Sequence, residues 1–398
     1  MDNQIFNRER LKEALQFREK TMTTLAEETG IRKQSLSLYA NGGNIPPYEN
    51  VQKIADILKF PVDFFMTKDL CVTMTGNIYF RSQASATKRL RRAQKIKLEY
   101  VAKMYGVLLN YINFPRTNFP EDIEINLPQD SFEADSETAF IEIEKLAAQV
   151  RAYWKLGDGP IENLQYVLES NGIIVTGFRD VNSAIDAFSQ QIRVNEKMVY
   201  IIALATGMKP IERLRFDMAH ELGHILMHSW GEDNEYIGRD EFNAREKQAN
   251  MFAGAFLLPK DSFVRTVAAY PTNVDYYRFL KDKWKVSMQA MMYRARQLNV
   301  ISANQFQYMM RIVSRKGWRT KEPGDVPGQL GETIFQGAID LLFDGGYMTV
   351  DELLREFASY GIVLSQEDLE NFMCLRTGTL KQTGKIIPFM SVKKDSQY

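Results

Sequence analysis

All three histidines of the chain fall within nine residues, inside MAHELGHILMHSW, residues 218–230. On a helix, residues four apart share a face and stand about 6 Å from each other. His220 and His224 can therefore reach one cation, with Glu221 beside it and under no need to bind it. This is the H-E-x-x-H arrangement: two imidazoles hold Zn²⁺, and the glutamate takes the proton of the water that attacks a carbonyl. In a chain so poor in histidine, chance seldom produces that spacing. His228 continues the stripe but lies about 12 Å from His220 along a straight helix, too far to share the ion. The glycine turn of H-E-x-x-H-x-x-G-x-x-H sites is also missing. His228 is expected in the core, behind a ligand, or near the substrate.

A catalytic zinc takes three protein ligands and keeps a fourth position open. With no histidine left and no suitable cysteine, the third ligand should be a carboxylate. The stretch AREKQANMFAGAFLLP offers Glu246, with Asn250 and Ala253 following on the same helical face. Ala249, Ala253 and Gly254 are small enough for this helix to approach the histidine helix closely, and Asn250 is placed to hydrogen-bond a ligand imidazole. Glu232, Asp233, Glu235, Asp240 and Glu241 compete from the polar segment before it. Two imidazoles and a carboxylate suit Zn²⁺, with Mn²⁺ and Fe²⁺ as alternatives. The group that steadies the oxyanion is sought among His228, Arg215 and Tyr236.

The elements that must position these residues can be read from periodicity. Residues 211–228 and about 244–258 predict helices, the second ended by Pro259. IIVTGF and MVYIIAL predict strands, and DAFSQQIRV a third between them. DAFSQQI or VYIIAL would form a sheet edge to which an extended substrate could add. Upstream, residues 135–156 predict a helix, and NFPRTNFPEDIEINLPQD, with three prolines, a linker. The residues from Tyr79 to Ile112 predict one long helix with a basic first half. Residues 266–398 predict helices with a Gly/Pro-rich break at KEPGDVPGQLGE.

ERLRFDMAHELGHILMH followed by REKQANMFAGAFLLP resembles the ImmA/IrrE metallopeptidases, and VRAYWKLGDGPIENLQYVLESNGIIV resembles the front of that family's domain. The resemblance covers residues 135–265. It implies a gluzincin-like domain with His220, His224 and Glu246 as ligands and Glu221 as base. Gln248 stands where the family often has a second acidic residue. Family members are implied to cleave repressors of the helix-turn-helix class.

Residues 22–66 resemble the lambda-repressor-like, Xre-type helix-turn-helix, with LAEETG as the positioning helix and IRKQSLSLYANGG carrying the recognition helix. In that fold the second helix enters the major groove, which brings Lys33, Gln34, Ser37 and Leu38 nearest the base edges. Leu25, Ala26, Leu36, Tyr39, Ile54 and Leu58 are the expected core. Residues 1–66 carry nine Lys/Arg and nine Asp/Glu, so the module is neutral, whereas phosphate contacts need positive charge. Residues 67–105 carry nine Lys/Arg against Asp69 and Glu99, six of them in KRLRRAQKIK. This segment either completes an electrostatic footprint or is a solvated face. With Phe80-Arg81-Ser82 it also resembles the connector of fused Xre–ImmA/IrrE proteins.

A chain of 398 residues is too long for one core. Fifty basic residues balance fifty acidic ones, and two distant cysteines argue against a disulfide framework. The charged start is unlike a signal peptide, and no apolar run reaches the ~18 residues of a membrane span. The expected fold is α+β and mostly helical: a helix-turn-helix domain (1–67), a basic helical connector (68–134), a metallopeptidase domain with a small sheet (135–265) and a helical C-terminal region (266–398). The expected function is a cytoplasmic, DNA-binding regulatory zinc endopeptidase acting on a helix-turn-helix repressor or antitoxin, with operator DNA as partner and a homodimer as one possible assembly. The alternative is a transcriptional regulator or antitoxin whose peptidase-like domain senses or dimerises without proteolysis.

Overall fold

The computed structural model describes residues 6–67, 78–80, 88–179, 187–228 and 238–381, apart from positions 122, 124, 126, 135, 195, 196 and 208. The fold is α+β and mostly helical, with sixteen α-helices and one four-stranded sheet among the described residues.

The N-terminal helices are α1 (Arg8–Phe17), α2 (Met22–Thr29), α3 (Lys33–Asn41) and α4 (Tyr48–Leu58), followed by a 3-10 turn at Val62–Met66. Thr21 caps α2 by accepting from the Thr24 N–H, and Gly30 ends it with φ +71°, a conformation that suits glycine. Leu25, Leu36, Tyr39, Ile54 and Leu58 are buried and Ala26 packs against them, as the apolar spacing requires.

The strands are β1 (Ile78–Phe80), β2 (Ile173–Arg179), β3 (Ala187–Val194) and β4 (Lys197–Thr206), in the order β1-β3-β4-β2. β4 runs parallel to β2 and antiparallel to β3. Two expectations change here. The chain from Tyr79 is not one long helix: Ile78–Phe80 pairs with β3, and α5 starts only at Lys88 and runs to Leu108. An Ile-Tyr-Phe run suits a strand better than a helix once an edge is offered. Neither DAFSQQI nor VYIIAL is a bare edge either. β4 is flanked on both sides, and β1 lies along Phe188, Ser189 and Gln190 of β3.

Side chains alternate across the sheet. On one face Ile174, Phe178, Phe188, Ile192 and Ile201 join a core built from α1–α4, α5, and the C-terminal helices α14 (Ile334–Asp344), α15 (Val350–Ser359) and α16 (Gln366–Phe372). On the other, Ile173, Val175, Ala187, Ile202 and Leu204 join a second core. That core holds α6 (Glu137–Tyr153), α7 (Leu164–Ser170), α8 (Ile211–Met227), α9 (Arg239–Leu257), α10 (Lys260–Val267), α11 (Val274–Trp284), α12 (Met288–Gln297) and α13 (Ala303–Arg315).

Polar side chains tie the N-terminal helices to the rest. The buried Arg10 guanidinium donates to the Tyr100 hydroxyl of α5 and to the Gly361 carbonyl, both at 2.9 Å. Arg18 donates to both oxygens of Asp368, at 2.9 and 2.5 Å. The described residues of the proline-rich stretch 113–130 form no helix or strand, and Trp154 ties the stretch to the body by donating from Nε1 to the Asn118 carbonyl at 2.7 Å. Gly172 (φ +79°) allows that close pass, since a Cβ there would meet the Arg116 and Thr117 backbone at 2.3 Å.

Candidate metal centre

The site is made by two helices that pack closely. α8 follows Pro210, which presets its first turn. α9 begins at Arg239, earlier than the expected Ala244, because Asp240 and Glu241 in its first turn complement the helix dipole. Gly223 of α8 meets Ala249 and Phe252 of α9 so tightly that an added Cβ would lie 3.1–3.3 Å from them. Of the small residues expected on α9, Ala249 meets Gly223 of α8, whereas Gly254 faces Arg294 and Gln297 of α12.

This approach brings His220, His224 and Glu246 together, with one donor atom from each within 4.8 Å of the others. The two imidazole Nε2 atoms are 2.9 Å apart. Glu246 reaches them at 3.6 Å (His220) and 3.3 Å (His224). Both histidines are fully buried, and Glu246 keeps 18% of its side chain exposed.

The hydrogen bonds behind the pair fix the state of each ring. Asn250 donates through Nδ2 to the Glu246 carbonyl, so its Oδ1 accepts from His220 Nδ1 at 3.1 Å. Gln248 donates through Nε2 to the Pro128 carbonyl at 2.7 Å, which turns its Oε1 towards His228 Nε2 at 3.1 Å. His228 must then donate from Nε2 and accept at Nδ1, where His224 Nδ1 stands 2.8 Å away. Burial, with the nearby His224 adding to it, holds the His228 pKa well below the usual histidine value, which keeps the ring neutral. Both ligand histidines thus carry their proton on Nδ1 and aim an Nε2 lone pair at the same point. Two lone pairs and a carboxylate repel one another unless a cation lies between them, so the donor set fits a divalent metal. Burial pushes the Glu246 carboxyl up, and only imidazoles presenting an N–H or a positive charge would draw it down; with both Nε2 lone pairs turned to it, a bound cation is what would hold it ionised.

Glu221 is fully buried, and its Oε2 accepts from the Ser189 hydroxyl of β3 at 2.7 Å. Ser189 was not anticipated: in the strand Ala187–Val194 it stands among other polar residues, and nothing in the sequence sets it apart. His228, left open by the sequence, lies behind His224 at the end of α8. Arg215 is a correction. Five residues before His220 on the helix, it points elsewhere, and its guanidinium donates to the carbonyls of Ile161, Glu162 (3.0 Å) and Lys285 (3.1 Å). It clamps loops and does not face the donors. Tyr236 lies outside the described residues, as do Glu232, Asp233 and Glu235. Glu241 pairs with Arg245.

In the N-terminal module, Lys33, Gln34, Ser37 and Leu38 all sit exposed on α3, with Leu38 46% accessible. Arg89, Arg92 and Lys95 form an exposed basic row on α5.

Residues 169–296 match the family model of the IrrE N-terminal-like domain, and residues 11–65 match that of the helix-turn-helix. The chain joins an Xre-like helix-turn-helix to an ImmA/IrrE-like peptidase domain. No curated protein matches the chain significantly. The peptidase-like domain carries the three residues that could hold a metal, and the helix-turn-helix carries the exposed α3. No helix of the described residues is long and apolar enough to cross a membrane.

Proposed function

We propose that this regulator is a DNA-bound, cytoplasmic zinc endopeptidase that cleaves a helix-turn-helix repressor or antitoxin and so controls transcription in a stress, mobile-element or defence response. The observation that carries the reading is the convergence of His220, His224 and Glu246 with the protons of both rings turned outward. His220, His224 and Glu246 hold the metal. Bound Zn²⁺ supplies Lewis acidity to the scissile carbonyl and lowers the pKa of water. Glu221 takes the proton of the attacking water and returns it to the leaving amine. Ser189 fixes one Glu221 oxygen. Asn250 and His228 hold the ligand rings in one tautomer. Lys33, Gln34, Ser37 and Leu38 read the operator, and the basic row of α5 adds phosphate contacts.

The test is incubation of the purified, zinc-loaded protein with the helix-turn-helix proteins encoded beside it. One of them should be cut. Glu221→Gln should stop the cut while zinc content and operator binding stay unchanged; a variant that cuts at the same site would remove Glu221 from the role of base. The second reading, a regulator that senses or dimerises through this domain without proteolysis, is favoured by the full burial of Glu221. It predicts that no neighbour is cut and that Glu221→Gln leaves regulation unchanged.

A further inference from the structure

β1 (Ile78–Phe80) lies on the outer edge of β3 and pairs antiparallel with it, Ile78 opposite Gln190, Tyr79 opposite Ser189 and Phe80 opposite Phe188. The residues of β3 alternate between the two cores. Phe188 and Ile192 join the core of the helix-turn-helix, whereas Ala187 joins the core that holds α8 and α9. Ser189 keeps to the second side, and its hydroxyl donates to Glu221 at 2.7 Å. The backbone of β1 at Tyr79 therefore runs one strand spacing, about 4.8 Å, from the residue that touches Glu221.

A polypeptide that brings a carbonyl to the metal donors must pass within reach of Glu221. The strand beside Glu221 is β3 from Phe188 to Gln190, and a strand edge binds extended chain through its backbone N–H and C=O groups. Here that stretch is already paired with β1 on one side and β4 on the other. His220, His224 and Glu221 are fully buried, which is the condition of a closed site. β1 is also held lightly. Among the described residues its pairing stops at Ile78 and Phe80, whereas β4 pairs along all of β3 from Ala187 to Val194. A strand of three residues is shorter than the usual run of about five or six. β1 belongs to the stretch that joins the helix-turn-helix to α5, so the edge is filled from the helix-turn-helix side of the chain.

We infer that β1 is an internal stand-in for substrate: it fills the edge of β3 where an extended polypeptide would lie antiparallel to β3 and against Glu221, and the site opens when that strand is displaced. The inference rests on the proposed peptidase function. The ligand of the opened edge is a polypeptide in extended form, recognised through its backbone.

The test opens the edge and adds the strand back. Alternate N–H groups of β1 face β3, so either Tyr79 donates or Ile78 and Phe80 do. Tyr79→Pro and the double variant Ile78→Pro/Phe80→Pro cover both cases. The triple variant Ile78→Gly/Tyr79→Gly/Phe80→Gly is gentler, since it loosens the strand and keeps every N–H. The probe is the blocked peptide GNIYFRS, residues 76–82 of the chain itself, and its binding to the zinc-loaded full chain is measured by calorimetry. The opened chain should bind it about tenfold more tightly than the unaltered chain, the scale of one or two backbone hydrogen bonds. It should also cut the helix-turn-helix protein encoded beside it about tenfold faster, and the peptide should slow that cut. Equal peptide affinity in the unaltered chain and all three variants, at unchanged zinc content and melting temperature, overturns the inference. A cut that is no faster once peptide affinity has risen overturns it too. Acetohydroxamate, which needs the metal alone, checks the centre separately. If its binding ignores zinc, or if no form cuts while the peptide still prefers the opened chain, the peptidase reading falls and the displacement of β1 stands.

Discussion

The two faces of the sheet solve different problems. On one, α8 and α9 press together through glycine and alanine, and the ring nitrogens of the histidines are oriented by hydrogen bonds. On the other, the helix-turn-helix is held by large aromatics and by arginines that reach distant parts of the chain: Phe17 packs on Phe60, Tyr100 and Phe372, and Arg18 reaches Asp368. The first face depends on donor geometry to a fraction of an ångström. The second depends on buried apolar area. Small residues allow polar precision because they bring two backbones close. Aromatics give attachment strength because each buries much surface.

Changes on each face should therefore fail in different ways. His224→Ala should leave fold and operator binding intact and lose the metal outright, read as zinc per chain by elemental analysis. His228→Ala removes only the support behind that ligand and should weaken zinc by about 10–100-fold. If it left zinc affinity unchanged, the orientation argument for His224 would fall. On the opposite face, Phe372→Ala empties a position shared by Phe17 and Phe178 and should cost about 3–5 kcal/mol in denaturant unfolding, with zinc still bound in the folded fraction.

A pH effect belongs at the joint between the cores. Burial raises the Glu169 carboxyl from 4.5 to about 8, against hydrogen bonds from the Ile334 N–H and from Gln165. Between those two values the folded chain keeps a proton that the unfolded chain has lost, so stability is greatest below the lower value and falls as pH rises towards 8. Glu169→Gln should flatten this decline, read as melting temperature from pH 5 to 8. An unchanged slope would mean that Glu169 is ionised in the fold. The smallest effect is expected at the exposed Lys33. Its change to alanine should reduce operator affinity a few-fold and lower the salt slope of binding by about one unit at most, without moving the melting temperature.

The convergence of His220, His224 and Glu246 was legible because its signal is local. His220 and His224 are one turn apart whatever surrounds the helix, and Glu246 is the acid on the next helix whose face also carries small residues. The exposed face of α3 followed from the same kind of periodicity. What escaped the sequence depends on partners far along the chain. Ser189 has meaning only once β3 lies under α8, and Ile78–Phe80 becomes a strand only because β3 offers an edge. Gln248 looked like a lost acid, but with its amide fixed by Pro128 it sets the tautomer of His228. Arg215 looked available until three carbonyls claimed it.

The return of α14–α16 to the N-terminal core bears on how this chain can be divided. Its first and last described helices share one apolar interior with α5 and the sheet. A fragment ending in the proline-rich stretch would leave Phe17 and Arg10 without Phe372 and Gly361, and a fragment starting there would strip Phe335 of Tyr105 and Phe372 of Phe17. Severing the molecule between its recognition helix and its histidines would thus yield two incomplete pieces, each with a sticky half-core.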